Sequence, residues 1–438
     1  MFLKPTMRCA VIAATALVAV PAFGVEYLIT PRLDQRLEFD NNLQLNNDPD
    51  TIEAVMYQIT AAAEMRARGD VWGFSGDALL QASRFDADSF NSDNQEGNFS
   101  IMRFGERSVL QIDMGVSRNA QRTAELDGSG LLGLEATRVE RVTARPVASF
   151  QLSELYRLTV GGTLTNQTFE ADVFEDFRNI GFDIALARQF SERTSADITL
   201  FGSDYVTDEE ASGGCSPTLT FFNGQLIQAQ RCNLFDTNRE SRTYGLQLGV
   251  QRALSDTFSW GISLGGREVE SQSRQSNILV GCLFSADLST LLDACTPLAT
   301  ASIEDTSSGL IASTNLSYSS KRFSYNVGFQ RSVSPVSLGF LIESDRLNAG
   351  ANYRLTEKLT AISNISYQTS DSATSAVEFE RTFVSVDASL DWRVTESWRV
   401  APGIRWREQE TTFASMPTDS ISVFVKINYR PDRIQFSR

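Results

Sequence analysis

Arg393-Val394-Thr395-Glu396-Ser397-Trp398-Arg399-Val400-Ala401-Pro402-Gly403-Ile404-Arg405-Trp406-Arg407 holds a turn and the strand that leaves it. From Trp398 onward the residues fall into two sets. Trp398, Val400, Pro402, Ile404 and Trp406 share one face of an extended chain, and Arg399, Ala401, Gly403, Arg405 and Arg407 share the other. Successive side chains of a strand point to opposite faces, so one face is apolar and the other basic. Just before it, Val394, Thr395 and Glu396 give a hydrophobic residue, a hydroxyl and an acid in sequence. Ser and Thr hydroxyls fold onto nearby backbone and favour tight turns, and the acid is expected to cap amides that the turn frees.

The same phrase recurs as Gln151-Leu152-Ser153-Glu154, Gln189-Phe190-Ser191-Glu192, Ala253-Leu254-Ser255-Asp256 and Arg354-Leu355-Thr356-Glu357. Three further short turns keep its rhythm: Arg68-Gly69-Asp70, Phe104-Gly105-Glu106 and Ser319-Ser320-Lys321. Short turns on one side and longer polar loops on the other describe an outer-membrane barrel. With both chain ends on the short-turn side, eight such turns join about 18 strands. The fold class read from the chain is therefore all-β: a transmembrane antiparallel up-and-down β-barrel of about 18 strands, with 16–20 the range if one turn is miscounted.

Other stretches repeat the two-faced pattern. Ile421, Val423, Val425, Ile427 and Tyr429 alternate with Ser422, Phe424, Lys426 and Asn428, and Tyr244, Leu246, Leu248 and Val250 with Gly245, Gln247, Gly249 and Gln251. A sandwich would bury its apolar face and keep its strands short. These runs reach roughly ten residues, the length a tilted strand needs to cross hydrocarbon. Aromatic residues such as Trp72, Tyr156, Trp260, Tyr318, Tyr353, Trp392, Trp398 and Tyr429 fall near strand ends, where interfacial girdles sit.

The chain opens with Lys4 and Arg8, an apolar run from Cys9 to Val20, and Pro21-Ala22-Phe23-Gly24. That is a secretory signal, with cleavage expected after Gly24. Cys9 precedes the apolar run, which is the wrong place for lipidation. Residues 25–438 are expected to form the barrel alone, with no soluble domain before or after it and a short basic tail from Pro431 to Arg438. Acids outnumber bases, 54 to 39, for a net charge of −15, which excludes nucleic acid as a partner. The expected partners are outer-membrane lipid and lipopolysaccharide, together with small polar solutes or polysaccharide. Acidic loops offer a further route to divalent cations. Nothing in the sequence sets the oligomeric state.

Outer loops are expected near 46–52, 84–97, 119–133, 167–178, 206–240, 272–304, 334–342, 371–378 and 410–418. The two longest, 206–240 and 272–304, hold Cys215 with Cys232 and Cys282 with Cys295. An exported protein meets oxidising machinery, so two disulfides, each local to its loop, are the favoured of three pairings. The spacings are wrong for a four-thiolate zinc site. Such loops either fold into the lumen or stay outside it.

The chain contains no histidine, which excludes Ser-His-Asp catalysis and imidazole ligation. Glu209 and Glu210 form a carboxylate pair, but within a charged loop they read as solvated acids. No catalytic, cofactor-binding or metal-ligating residues are assigned, and no cofactor is expected. The remaining chemistry belongs to a pore. Its wall should carry Arg354, Arg393, Arg399, Arg405, Arg407 and Lys426 from the last strands, and Asp113, Asp183, Asp197, Asp387 and Asp391 from others. Opposed rows of unlike charge would set a transverse field that sorts solutes. Alternatively, the charges pair with each other and merely hydrate the wall.

Ile29-Thr30-Pro31-Arg32-Leu33-Asp34-Gln35-Arg36-Leu37-Glu38-Phe39-Asp40-Asn41-Asn42-Leu43 is a proline, an amphipathic stretch and an aromatic-Asp-Asn-Asn-hydrophobic finish. It resembles the outer-membrane β-barrel porin family associated with exopolysaccharide and exosortase systems. The mature length, turn phrases and strand rhythm fit that resemblance, whereas the two cysteine-bearing loops depart from it. The resemblance implies an outer-membrane location and passage of solutes or polysaccharide. It supplies no catalytic residues. The alternative is a plugged structural or adhesive barrel that binds a partner through its disulfide-tied loops.

Overall fold

A computed structural model describes residues 26–45, 51–86, 88–120, 137–171, 175–208, 212–222, 225–283, 300–335, 341–373, 380–412 and 416–437. Residues 1–24, expected to be a secretory signal, and Cys295 lie outside the described residues.

The first strands are β1 (Glu26–Asp40), β2 (Ala54–Arg68), β3 (Trp72–Phe85), β4 (Ser92–Phe104) and β5 (Ser108–Ala120). β6 (Arg138–Gln151), β7 (Tyr156–Phe169), β8 (Asp176–Ser191), β9 (Thr194–Asp208) and β10 (Ser212–Phe222) follow. Then come β11 (Gln225–Ala253), β12 (Phe258–Leu283), β13 (Thr300–Ser319), β14 (Phe323–Pro335) and β15 (Leu341–Arg354). The chain ends with β16 (Leu359–Ser372), β17 (Glu380–Arg393), β18 (Trp398–Thr411), β19 (Thr418–Tyr429) and β20 (Ile434–Ser437). Each of β1 to β8 pairs antiparallel with its successor, β9 passes to β11, and β11 to β19 continue in order until β19 closes on β1. The ring is a closed barrel of 18 staves. Closing the ring of staves removes the two free edges that an open sheet would leave in hydrocarbon.

All eight expected short turns join adjacent staves at one end. Their hydroxyls work as the sequence implies. Ser153 Oγ accepts the Tyr156 amide at 3.2 Å, Thr356 Oγ1 the Leu359 amide at 3.0 Å, and Thr395 Oγ1 the Trp398 amide at 3.1 Å. The expected acid cap is not made: among the described residues the turn acids take no such amide, because the hydroxyl already occupies it. The hydrophobic residue of each phrase faces outward instead, with Leu152, Phe190, Leu254, Leu355 and Val394 all exposed.

Exposure alternates with the sequence pattern. Ile421 and Val423 are 44% and 55% exposed, while their neighbours Ser420 and Ser422 are at 0%. An apolar row facing out and a polar row facing in is the arrangement that lipid outside and a polar lumen inside require. Aromatic rings cluster at the short-turn end. Trp398 and Tyr429 lie 4.7 Å apart, and Tyr318 and Tyr325 stack at 5.4 Å.

Two expectations are corrected. The segments 206–240 and 272–304 are not loops throughout: β9 reaches Asp208, β10 fills 212–222, β11 starts at Gln225, β12 runs to Leu283 and β13 starts at Thr300. Pairing continues past the apolar belt because an antiparallel ladder satisfies backbone groups without needing an apolar face. β10 is no stave. It pairs only with the first part of β11, and its register sets Cys215 directly opposite Cys232. In the second correction, β4 begins at Ser92, inside the loop expected at 84–97. The short tail expected from Pro431 adds β20, which pairs Ile434–Ser437 with Glu26–Ile29 of β1.

Candidate functional site: the lumen

The inward faces of β17, β18, β19 and β1 form one wall at the seam where the barrel closes. Here β1 carries a charge at every second position, the inward row of β19 is mostly uncharged, and the arginines of β18 reach across it to the acids of β1. Arg399 lies 3.1 Å from Asp391, and Arg405 lies 2.6 Å from Asp387 and 3.9 Å from Glu38. Arg36 lies 2.6 Å from Glu38, and Arg407 lies 2.5 Å from Asp40. Ser420 donates to Asp40 at 2.6 Å and accepts from Arg407 at 3.1 Å. The Phe424 ring lies between Arg36, 4.2 Å from its centroid, and Lys426, at 4.9 Å. Charges buried to this degree are tolerated only when paired.

The far wall differs. Gln111 donates to both oxygens of Asp113, at 2.8 and 2.9 Å. Thr199 donates to Asp197 at 3.3 Å, and Arg145 lies 3.8 Å from Asp183. Among the described residues, Asp113 and Asp197 have no cationic partner. Asp183 and Asp197 lie flat against the wall. A Cβ on Gly161 would come within 2.5 Å of Asp183, and one on Gly249 within 2.5 Å of Asp197. Glycine at these two positions is what lets the carboxylates approach the neighbouring backbone.

All eleven expected wall charges fall on strand positions that alternate with the exposed apolar row. They do not form two opposed rows. Asp387 and Asp391 sit beside the arginines on the same wall, so those arginines are neutralised locally. Arg354 and Arg393 are at the inner rim, where Arg393 donates to the Glu357 carbonyl at 3.1 Å. The sequence reading missed Arg36, Glu38 and Asp40 as wall residues. Their signal was present in the charge at every second position from Arg32 to Asp40.

Height along the lumen matters as much as side. Near the long-loop ends of their strands, Asp40, Ser83, Asn94, Asn119, Gln167, Thr207, Ser344, Ser370, Arg381, Arg407 and Ser420 are all buried. Phe177, Tyr205, Val269, Leu341 and Ala373 form one buried apolar cluster at the same level, with Phe169 and Val333 against it. These residues come from β7, β8, β9, β12, β14 and β15 and from just past the end of β16. Polar contacts bridge the same gap. Arg267 of β12 bonds Glu343 of β15, and Ser307 of β13 donates to the Ala373 carbonyl at 2.8 Å. The outer end of the lumen is therefore drawn together over one side.

The inner end is open. A cavity of about 930 Å³ is lined by residues of β6 to β13, including Arg157, Asp197, Gln247 and Asn315. A hydroxyl-rich ladder runs along it: Gln247 to Ser263 at 2.5 Å, Ser263 to Ser313 at 2.6 Å and Ser259 to Ser317 at 2.6 Å.

No family model matches the chain, and no curated protein matches it either. Solved structures of similar outline are outer-membrane barrels. The outer-membrane protein OpdK of Pseudomonas aeruginosa is 10% identical, with a TM-score of 0.40 over 93% of this chain and 99% of that one. OpdQ of the same organism is 8% identical, with 0.42 over 94% and 98%. A BenF-like porin from Pseudomonas fluorescens Pf-5 is 10% identical, with 0.43 over 92% and 99%. Likeness at that level carries no information about solute or mechanism.

Proposed function

We propose that this protein is a channel of the bacterial outer membrane that admits small polar solutes through a narrowed outer throat into a wide inner vestibule. The observation that carries the reading is the lumen itself. Its wall is polar and charged along its length, and its inner half borders a cavity of about 930 Å³. A barrel of 18 strands is wide enough for an aqueous path unless something fills it. The paired charges of the seam wall hold that wall near neutrality, and the acids of the far wall bias the vestibule toward cations. The reading is non-catalytic.

Passage of a surface polysaccharide is a narrower form of this proposal and rests on the resemblance of Ile29 to Leu43 alone. Contact with lipopolysaccharide, and a Cys215–Cys232 disulfide that stiffens the outer arm, belong to it as well. Directly opposed strand residues lie about 4.5–5.5 Å apart, within disulfide reach. The competing reading is a barrel closed at its outer end that works through its surface. The buried apolar cluster at that end favours it. Single-channel recording of the folded protein in planar bilayers decides between them. Discrete conductance steps are expected, and a silent bilayer containing correctly folded protein would reject the channel.

A further inference from the structure

At the inner end of the seam the closing ladder breaks. β19 pairs with β1 as far as Tyr429 opposite Leu33, and pairing resumes with Ile434 opposite Ile29. Four residues, Arg430 to Arg433, therefore stand against three, Thr30 to Arg32. Each side of the break carries a proline, Pro431 and Pro31, which has no amide to donate. One extra residue on one strand is a bulge, and bulges re-aim side chains. Here they turn Arg430 and Arg433 toward a cavity of about 400 Å³, whose other lining includes Arg32, Arg66, Glu64 and Asp77.

Four guanidiniums thus meet two carboxylates around one cavity. Arg32 is engaged by Asp34 at 2.8 Å, and Asp77 by Asn98 at 3.0 Å. Arg66 and Glu64 stand 4.0 Å apart. Among the described residues, Arg430 and Arg433 have no ion-pair partner. Two unneutralised planar donor forks beside a cavity suit an oxygen anion, because guanidinium matches phosphate and carboxylate geometry in bidentate fashion.

We propose that this seam cavity is a binding site for an oxyanion, a phosphate or carboxylate group, gripped mainly by Arg430 and Arg433. The inference rests in part on the channel reading, since it adds a local anion-binding station at the seam, apart from the acids that bias the vestibule toward cations. Two sources offer that chemistry: a free anion in the periplasm, or a phospholipid headgroup reached through the broken ladder.

The test titrates inorganic phosphate into the full-length barrel, folded in a neutral detergent, by calorimetry. Saturable binding is expected. It should weaken about tenfold in Arg430→Gln and about a hundredfold when Arg433→Gln is added, the loss of one charge-assisted pair at each step. Heat-modifiable gel mobility verifies that each variant is closed, and Arg66→Gln provides a second probe with a smaller loss. Unchanged affinity in the closed double variant, or no saturable binding by the parent, overturns the proposal. Repeating the titration in vesicles separates the sources. Competition by anionic phospholipid identifies a headgroup site, and equal affinity in neutral and anionic vesicles identifies a free-anion site. A barrel that conducts but ignores phosphate refutes this inference and leaves the channel standing; a barrel that binds phosphate without conducting does the reverse.

Discussion

The outer and inner halves of the lumen are built from the same staves and carry similar residue types, yet they behave as different materials. In the outer half Ser, Asn, Gln and Arg are buried, ion pairs are short, and an apolar cluster bridges the mouth. In the inner half the same kinds of side chain border an open cavity. Position along the strand, not composition, decides whether a wall residue contributes to stability or to passage. A buried charge must keep its partner, whereas a wall charge bordering the cavity is hydrated and replaceable.

That contrast can be broken most sharply at Arg407. Arg407→Ala strands Asp40 with only Ser420 and the Asn42 amide, 3.0 Å away, for support. It should cost about 3–5 kcal/mol, the usual loss for half of a buried pair. Urea unfolding followed by heat-modifiable mobility would measure it, and a loss under 1 kcal/mol would mean the outer half is wetter than its burial states. Phe177→Ala removes a ring that lies 5.3 Å from Tyr205 in the bridging cluster. A stability loss of about 3 kcal/mol is expected, together with larger single-channel conductance; a smaller conductance would show that the cluster does not set the throat.

Smaller effects belong to the short-turn end and the far wall. Thr395→Ala deletes the hydroxyl that accepts the Trp398 amide and should cost about 1 kcal/mol in the same unfolding assay. Asp113→Asn removes a carboxylate held only by Gln111. Stability should stay within about 0.5 kcal/mol, while the reversal potential in a salt gradient shifts toward anions. A stability loss as large as that of Arg407→Ala would erase the distinction between the two halves.

The sequence made the staves legible and left the lumen's calibre hidden. Eight turns were readable because Ser or Thr beside a reversal leaves a local chemical signature, and the facing of Asp183 or Arg405 followed from a period of two. Period two states which side a residue faces, but nothing about what stands opposite it. Ser420 and Ser263 read alike, yet one is fully buried and the other borders the cavity. The extension of β11 through Arg231 to Ser241 was unreadable for another reason: beyond the apolar belt neither face must be hydrophobic, so alternation lapses while the ladder continues. Arg36, Glu38 and Asp40 were legible but overlooked. Arg430 and Arg433 gained meaning only when the break beside them was seen.

Seventeen of the staves' contacts join stretches that are close in the chain. The seam alone joins Asp40 to Ser422 and Leu33 to Tyr429, across nearly the whole polypeptide. Hairpins can zip up early because little chain must be looped, whereas this last union carries the largest entropic penalty. It cannot begin before the C-terminal strand has been delivered. Until then the cylinder is an open ribbon with two raw margins, and the charged residues along them find their mates only at completion. The Arg407–Asp40 contact therefore doubles as a checkpoint: it forms only in a molecule whose two ends have both arrived.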